Sequence, residues 1–176
     1  MNLKSGNIEL RRFRETDAPG MAELANNEKI SRNLRDGFPH PYTLQDAENF
    51  IKNCMDQDPV CIFAIENSGE YVGNIGLMPG QDVYRKSAEI GYFIGEPYWN
   101  QGIATVAVNL ITDYGFNTLS MVRIHTGIFE YNVSSQHVLE KCGFRKEGIF
   151  KKSVFKNERL WDEIRFAKIN PEFDHG

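Results

Sequence analysis

Two strand-like runs, Ser87-Ala88-Glu89-Ile90-Gly91-Tyr92-Phe93-Ile94 and Val122-Arg123-Ile124-His125-Thr126-Gly127-Ile128-Phe129, flank one stretch of helical period. In that stretch Ile103, Ala107, Leu110, Ile111 and Tyr114 recur at the 3.6-residue spacing of a helix packed on a core. A strand, a helix and a strand joined by short connections predict a crossover unit. Before it, the period is that of strands. Cys61-Ile62-Phe63-Ala64-Ile65 is a short apolar run, Asn67-Ser68-Gly69-Glu70 a turn, and Tyr71-Val72-Gly73-Asn74-Ile75-Gly76-Leu77 a returning strand. Hairpins followed by a crossover require a mixed sheet.

The remaining elements follow from local signals. Ile8 to Phe13 alternates as a strand, and Thr16-Asp17 can cap a helix through Met21, Leu24 and Ala25. Residues 35–42, RDGFPHPY, form a loop because Gly and two Pro break any period. Thr43 and Asp46 form a capping box for a helix that presents Leu44, Ala47, Phe50, Ile51, Cys54 and Met55 on one face. Residues 132–141 read as a helix with Gly143 past its end, and two last strands meet near Lys156-Asn157-Glu158. The order β α α β β β α β α β β predicts an α/β fold. Its mixed central sheet has about seven strands with helices on both faces, in a single domain over residues 1–176.

Bulk properties narrow the function classes. A net charge of −4 supplies no basic field for nucleic acid. Cysteines at 54, 61 and 142 are odd in number and lack a CxxC pair, which argues against a disulfide framework or a zinc site. The N-terminus has no apolar leader and no run reaches membrane-spanning length, so a cytoplasmic protein with no metal and no membrane partner is expected.

The crossover helix opens on Tyr98-Trp99-Asn100-Gln101-Gly102-Ile103-Ala104-Thr105, where a side-chain cap would have served. The first amides of a helix have no internal partner and lie at the positive end of its dipole. A glycine there lets an anion approach them. Neither a Walker loop nor a dinucleotide fingerprint is present. Taken alone, the glycine fits a plain helix start equally well.

AEIGYFI, YWNQGIATVA and NVSSQHVLEKCGF occur in that order with short spacings. Together they resemble the GNAT N-acetyltransferase superfamily, within it the RimJ/RimL type of ribosomal-protein and related N-acetyltransferases, over nearly the whole chain. The resemblance implies an acetyl-CoA-dependent enzyme of GNAT fold, with acetyl-CoA as cosubstrate. Its pyrophosphate would lie on the turn formed by Trp99, Asn100, Gln101, Gly102, Ile103, Ala104 and Thr105. The RimJ/RimL run is similar to YWGKGIAT, so Asn100 and Gln101 replace Gly and Lys here and one phosphate-side cation is missing. Backbone at Phe93 and Ile94 is implied to hold the pantetheine arm, and an N–H near Phe93 to stabilise an oxyanion.

Proton transfer is implied to involve Glu89 and Ser135. An amine must lose a proton before attack, and a carboxylate placed like Glu89 is the general base in part of the superfamily. Glu89 as a substrate anchor or a solvated strand residue is the alternative. Asn132 is implied to contact the coenzyme arm and Ser135 to protonate the thiolate, although both also suit simple capping. Many members carry a tyrosine acid where this chain has Leu139. His125, His137 and Cys142 read as structural. Phe38, His40 and Tyr42 are expected at the acceptor mouth, with closure of the core as the alternative for the two aromatics. The acceptor is a primary amine, a protein N-terminus first. A small amine (polyamine, amino acid or antibiotic) or a non-catalytic coenzyme A module are the alternatives, and a homodimer fits family habit.

Overall fold

The structure, a computed structural model, describes residues 3–173. Among these described residues there are eight strands and five α-helices. They are β1 Leu3–Ser5, β2 Ile8–Arg11, α1 Ala18–Ala25, α2 Glu28–Ser31, α3 Leu44–Met55, β3 Ile62–Asn67 and β4 Glu70–Pro79. After them come β5 Ser87–Ile94, α4 Ile103–Asn117, β6 Arg123–Phe129, α5 Val133–Lys141, β7 Arg145–Lys156 and β8 Arg159–Ile169. The sheet order is β1-β2-β3-β4-β5-β6-β8-β7. The pair β5–β6 is parallel and carries the crossover through α4, while β2–β3, β3–β4, β6–β8 and β7–β8 are antiparallel. The sheet is therefore mixed, as expected. It has one strand more than the sequence predicts, because β1 is short and polar and Gly6 turns it back at φ +58°.

Packing divides the chain into two compact units. One runs to Gly76 and includes Tyr92–Ile111; the other comprises Leu77–Gly91 and the chain from Thr112 onward.

In the first unit, Phe13, Met21, Ile30, Ile51, Ala64 and Phe93 share a buried core. The capping box of α3 forms as read: Asp46 N–H donates to the Thr43 hydroxyl at 3.2 Å and Thr43 N–H to the Asp46 carboxylate at 2.8 Å. Its buried face is narrower than the pattern, because Leu44 at the first position is exposed. A buried Arg11 grips Asp17 with both terminal nitrogens, at 2.7 and 2.8 Å, and Glu66 through Nε at 2.6 Å. That network ties β2 and β3 to the start of α1. Between Ile65 and Glu66 the β3–β4 register slips by one, leaving Val72 as the extra residue of a bulge. Beside it β4 comes so close that a Cβ on Gly73 would lie 2.2 Å from the Phe93 carbonyl oxygen.

In the second unit, alternate positions face a buried layer: Ala88, Ile124, Ile164 and Phe166 are all nearly inaccessible. Gly115 lets α4 press on this layer, since a Cβ there would lie 2.7 Å from Leu77 Cδ1 and 2.8 Å from Ile124 Cδ1. Helix α5 ends at Gly143, φ +81°, with Phe144 N–H bonded to Leu139 C=O and Gly143 N–H to Glu140 C=O. That is the Schellman closure the glycine predicts. On β7, residues 151–153 stand opposite Asp162 alone. The Asp162 carboxylate holds that bulge, taking Lys152 N–H at 3.0 Å and Lys151 Nζ at 2.7 Å.

Candidate active site

The start of α4 is built from backbone. Asn100 and Gly102 both have positive φ, +61° and +77°, and the first helical bond runs from Val106 N–H to Gly102 C=O at 3.1 Å. The amides of the first turn thus precede the helical ladder. A Cβ built on Gly102 meets nothing within 4 Å, so open space lies before the turn. Trp99 orients the approach: its indole N–H donates to Ile94 C=O at 2.7 Å. Gln101 turns back to Pro97 C=O at 3.1 Å. Among the turn residues, Ile103 is buried, Ala104 and Thr105 half-buried, and Trp99 to Gly102 exposed.

Phe93 and Ile94, at the end of β5, have buried side chains, so only their backbone can serve a ligand. Gly95 N–H donates to Val72 C=O at 2.9 Å, and the Ile94 carbonyl is engaged by Trp99. Phe38 packs edge-on to Phe93 at 5.6 Å and against Tyr42 at 5.0 Å. Of the three expected acceptor residues only His40 is exposed. Tyr42 is buried, with its hydroxyl on Met21 Sδ at 3.6 Å, and burial pushes its phenol up to about 12. Tyr42 is therefore a core residue, the alternative the sequence left open. The turn before α4 is also fastened to α2, since Glu96 accepts from Asn27 Nδ2 at 2.7 Å and pairs with Lys29.

In the second unit, Glu89 is half-buried and stands in parallel register with His125. The β5–β6 ladder spans three positions and ends there, although both strands continue. Asn132 caps α5, its Oδ1 accepting Ser135 N–H at 3.3 Å. This satisfies the capping reading while using only the oxygen of the amide; the nitrogen is a separate donor. Ser135 is half-buried, and Leu139 is fully buried inside α5. Cys142 is buried at the helix end, and desolvation raises its thiol above the ordinary range, against a nucleophilic role.

The family profile described as "Acetyltransferase (GNAT) domain" matches residues 7–145. The chain belongs to the GNAT acetyltransferase family. It is an acetyl-CoA-dependent N-acetyltransferase. The protein named "Probable N-acetyltransferase YjcK" of Bacillus subtilis (strain 168) is 42% identical over 97% of this chain and 98% of its own. The spermidine N(1)-acetyltransferase of Escherichia coli (strain K12) is 29% identical over 94% of this chain and 88% of its own. A GNAT-family acetyltransferase structure from Bacillus anthracis superposes with a TM-score of 0.85 at 26% identity, covering 96% of this chain and 98% of that one. RimL, a ribosomal L7/L12 alpha-N-protein acetyltransferase solved with coenzyme A, has the same TM-score at 19% identity, covering 96% and 98%; it shares the fold.

This acetyltransferase also has a polar wall that the sequence reading missed. The register sets Glu89 beside His125, Gly127 beside Arg165, and Phe129 beside Glu163, all on the sheet face opposite Ile124 and Phe166. Glu163 folds its carboxylate over Gly127: a Cβ there would lie 2.2 Å from Glu163 Cδ. Arg165 donates to Glu163 Oε1 at 2.8 Å, faces His125 Nδ1 at 3.4 Å and lies over the Phe150 ring. Arginine only donates, so Nδ1 accepts and the His125 proton sits on Nε2. Burial lowers the His125 pKa, Arg165 and Arg123 lower it further, and Glu89 and Glu147 oppose them. The signal was the alternation of Arg123 with His125 and of Glu163 with Arg165. It read as ordinary strand patterning because glycine at 127 hid the side chain folded onto it.

Among the described residues no helix is long and apolar enough to cross a membrane.

Proposed function

We infer that this acetyltransferase modifies a primary amine by direct attack in a ternary complex. The observation that carries this is the start of α4, where a glycine of positive φ precedes the first helical amides and a Cβ on it would meet nothing within 4 Å. That arrangement suits a pyrophosphate. Acetyl-CoA supplies the acyl group as a thioester.

Each further role belongs to a residue of this chain. The amides from Gly102 to Thr105 receive phosphate oxygens, compensating for the lysine replaced by Gln101. The Phe93 and Ile94 backbone holds the pantetheine arm, and Asn132 Nδ2 adds a donor while Oδ1 keeps its cap. The end of the β5–β6 pairing at Glu89 supports a ligand-facing strand edge there. Glu89 takes a proton from the ammonium, directly or through water. The neutral nitrogen bonds to the acyl carbon, the C–S bond breaks, and the nitrogen sheds its second proton; the thiolate takes a proton from Ser135 or water, and the proton shed by the nitrogen replaces it through solvent. The products are an amide and the free thiol.

The acceptor is a protein N-terminus or a small polyamine. RimJ/RimL resemblance favours the first, and the spermidine acetyltransferase among the relatives favours the second. Thiol release from acetyl-CoA, measured against peptides with free N-termini and against small amines, decides between them. Glu89→Gln lowers kcat in the responding pool with little change in acetyl-CoA affinity. Equal turnover by this variant would remove Glu89 from the mechanism.

A further inference from the structure

We propose that Glu163 is a specificity-determining residue that binds a second ammonium group of the acceptor, so that this enzyme prefers diamines and polyamines to monoamines. The proposal rests on the reading of Glu89 as the reacting end and goes beyond it by assigning the other end of the substrate.

Four observations carry it. First, Glu163 does not extend into solvent as a strand glutamate ordinarily would. Its side chain is only 15% exposed and its carboxylate lies down over Gly127 on the neighbouring strand. Any other residue at 127 would put a Cβ inside it. Second, Arg165 fixes this pose by donating to Oε1 alone. An ionised carboxylate accepts about four hydrogen bonds, so Oε2 retains capacity for a further donor. Third, Glu163 stands in register between Phe129 on β6 and Phe150 on β7. Arg165 already lies over Phe150, which leaves Phe129 as the aromatic neighbour for an ammonium and the methylenes next to it. An anionic or strongly hydrated group gains nothing from that ring.

Fourth, the wall sets a distance. Glu89 is in register with His125, and Gly127 lies two residues further along β6. With strands roughly 4.8 Å apart and roughly 3.3 Å of rise per residue, the diagonal from Glu89 to Gly127 is about 8 Å. This is a backbone separation, on the scale of a short diamine whose reacting nitrogen lies at Glu89 and whose second nitrogen makes an ion-pair contact of about 2.8 Å with Glu163. A monoamine of the same length reaches Glu163 with a methyl group, leaving the carboxylate without its partner. Between the two ends lies His125, whose pKa is lowered by burial and by the Arg165 and Arg123 cations.

The test is steady-state kinetics at saturating acetyl-CoA. The acceptors are 1,3-diaminopropane, 1,4-diaminobutane, propylamine, butylamine and a peptide with a free N-terminus, for wild type, Glu163→Gln and Gly127→Ala. Glu163→Gln keeps shape and removes charge. Gly127→Ala keeps the carboxylate and evicts it from its seat, which the flexible end of Glu163 can accommodate. Wild type should favour each diamine over its monoamine at least tenfold in kcat/KM. Both variants should erase that preference through KM, leaving kcat, the monoamine values and acetyl-CoA affinity within twofold of wild type. Two variants that disturb Glu163 by different routes and give one phenotype exclude a folding artefact. A diamine preference that survives both variants overturns the assignment. So does a parallel loss for diamines and monoamines. Wild-type turnover of peptides or monoamines without a diamine preference overturns only the role of Glu163. Absence of turnover with every amine and peptide overturns the primary-amine reading together with it.

Discussion

The indole N–H of Trp99 donates to the main-chain carbonyl of Ile94 at 2.7 Å. This one bond locks the end of β5 to the turn that starts α4, so two backbone segments assigned to the same coenzyme hold a fixed mutual orientation. Trp99 works on the protein's own backbone.

Trp99→Phe keeps the ring and removes the donor. A neutral hydrogen bond is worth about 1 kcal/mol, which is about fivefold in affinity. Calorimetry should show acetyl-CoA binding weakened by about that factor, with kcat for the bound complex little changed. Unaltered binding would mean that the Trp99–Ile94 bond does not organise the coenzyme turn.

Gly102→Ala tests the turn itself. A non-glycine residue at φ +77° is strained by about 1–2 kcal/mol. The new methyl meets no protein atom, so it projects into the open space where phosphate is placed. Thermal stability should fall by about 1 kcal/mol while acetyl-CoA affinity falls at least tenfold. A stability loss with unchanged affinity would put the pyrophosphate elsewhere.

Much of this fold was legible in the sequence because its signals are local. The capping box at Thr43 and Asp46, the glycine closure after α5 and the crossover through α4 each depend on a few adjacent residues. What stayed hidden depends on pairing. β1 has too few apolar residues to betray a strand, and α2 is a single turn held by an Asn27 cap and the Glu96 contact. The α4 start was legible as a glycine turn, although its tie to Ile94 was not. Tyr42 could not be assigned to core or surface until α3 and Met21 were placed around it. The Glu163 pose over Gly127 could not be read at all, since no sequence spacing encodes which residue faces which across β6 and β8.

Asn132 offers a separation of two roles. Its Oδ1 caps α5, and the amide nitrogen is the donor assigned to the coenzyme arm. Asn132→Ser keeps a capping oxygen and loses the amide; Asn132→Ala loses both. The alanine variant should be destabilised by about 1 kcal/mol and the serine variant hardly at all. Both should bind coenzyme A several-fold more weakly. If serine restores affinity as well as stability, Asn132 is a cap and nothing more.

The polar wall should also mark the pH dependence of stability. His125 has a folded-state pKa below its ordinary value of 6.5, chiefly through burial, with Arg165 and Arg123 adding to it against Glu89 and Glu147. Below pH 6.5 the unfolded chain therefore binds a proton at this position more readily than the folded one. The stability involved is fully present above pH 6.5 and is lost as pH falls through the folded pKa. His125→Gln removes the titration while keeping a polar group beside Arg165. Melting temperatures of both proteins between pH 5 and 8 should run parallel above pH 7, and below pH 6.5 the wild type should fall faster. Parallel curves down to pH 5 would show that His125 titrates alike folded and unfolded, and would remove the neutral imidazole from the wall.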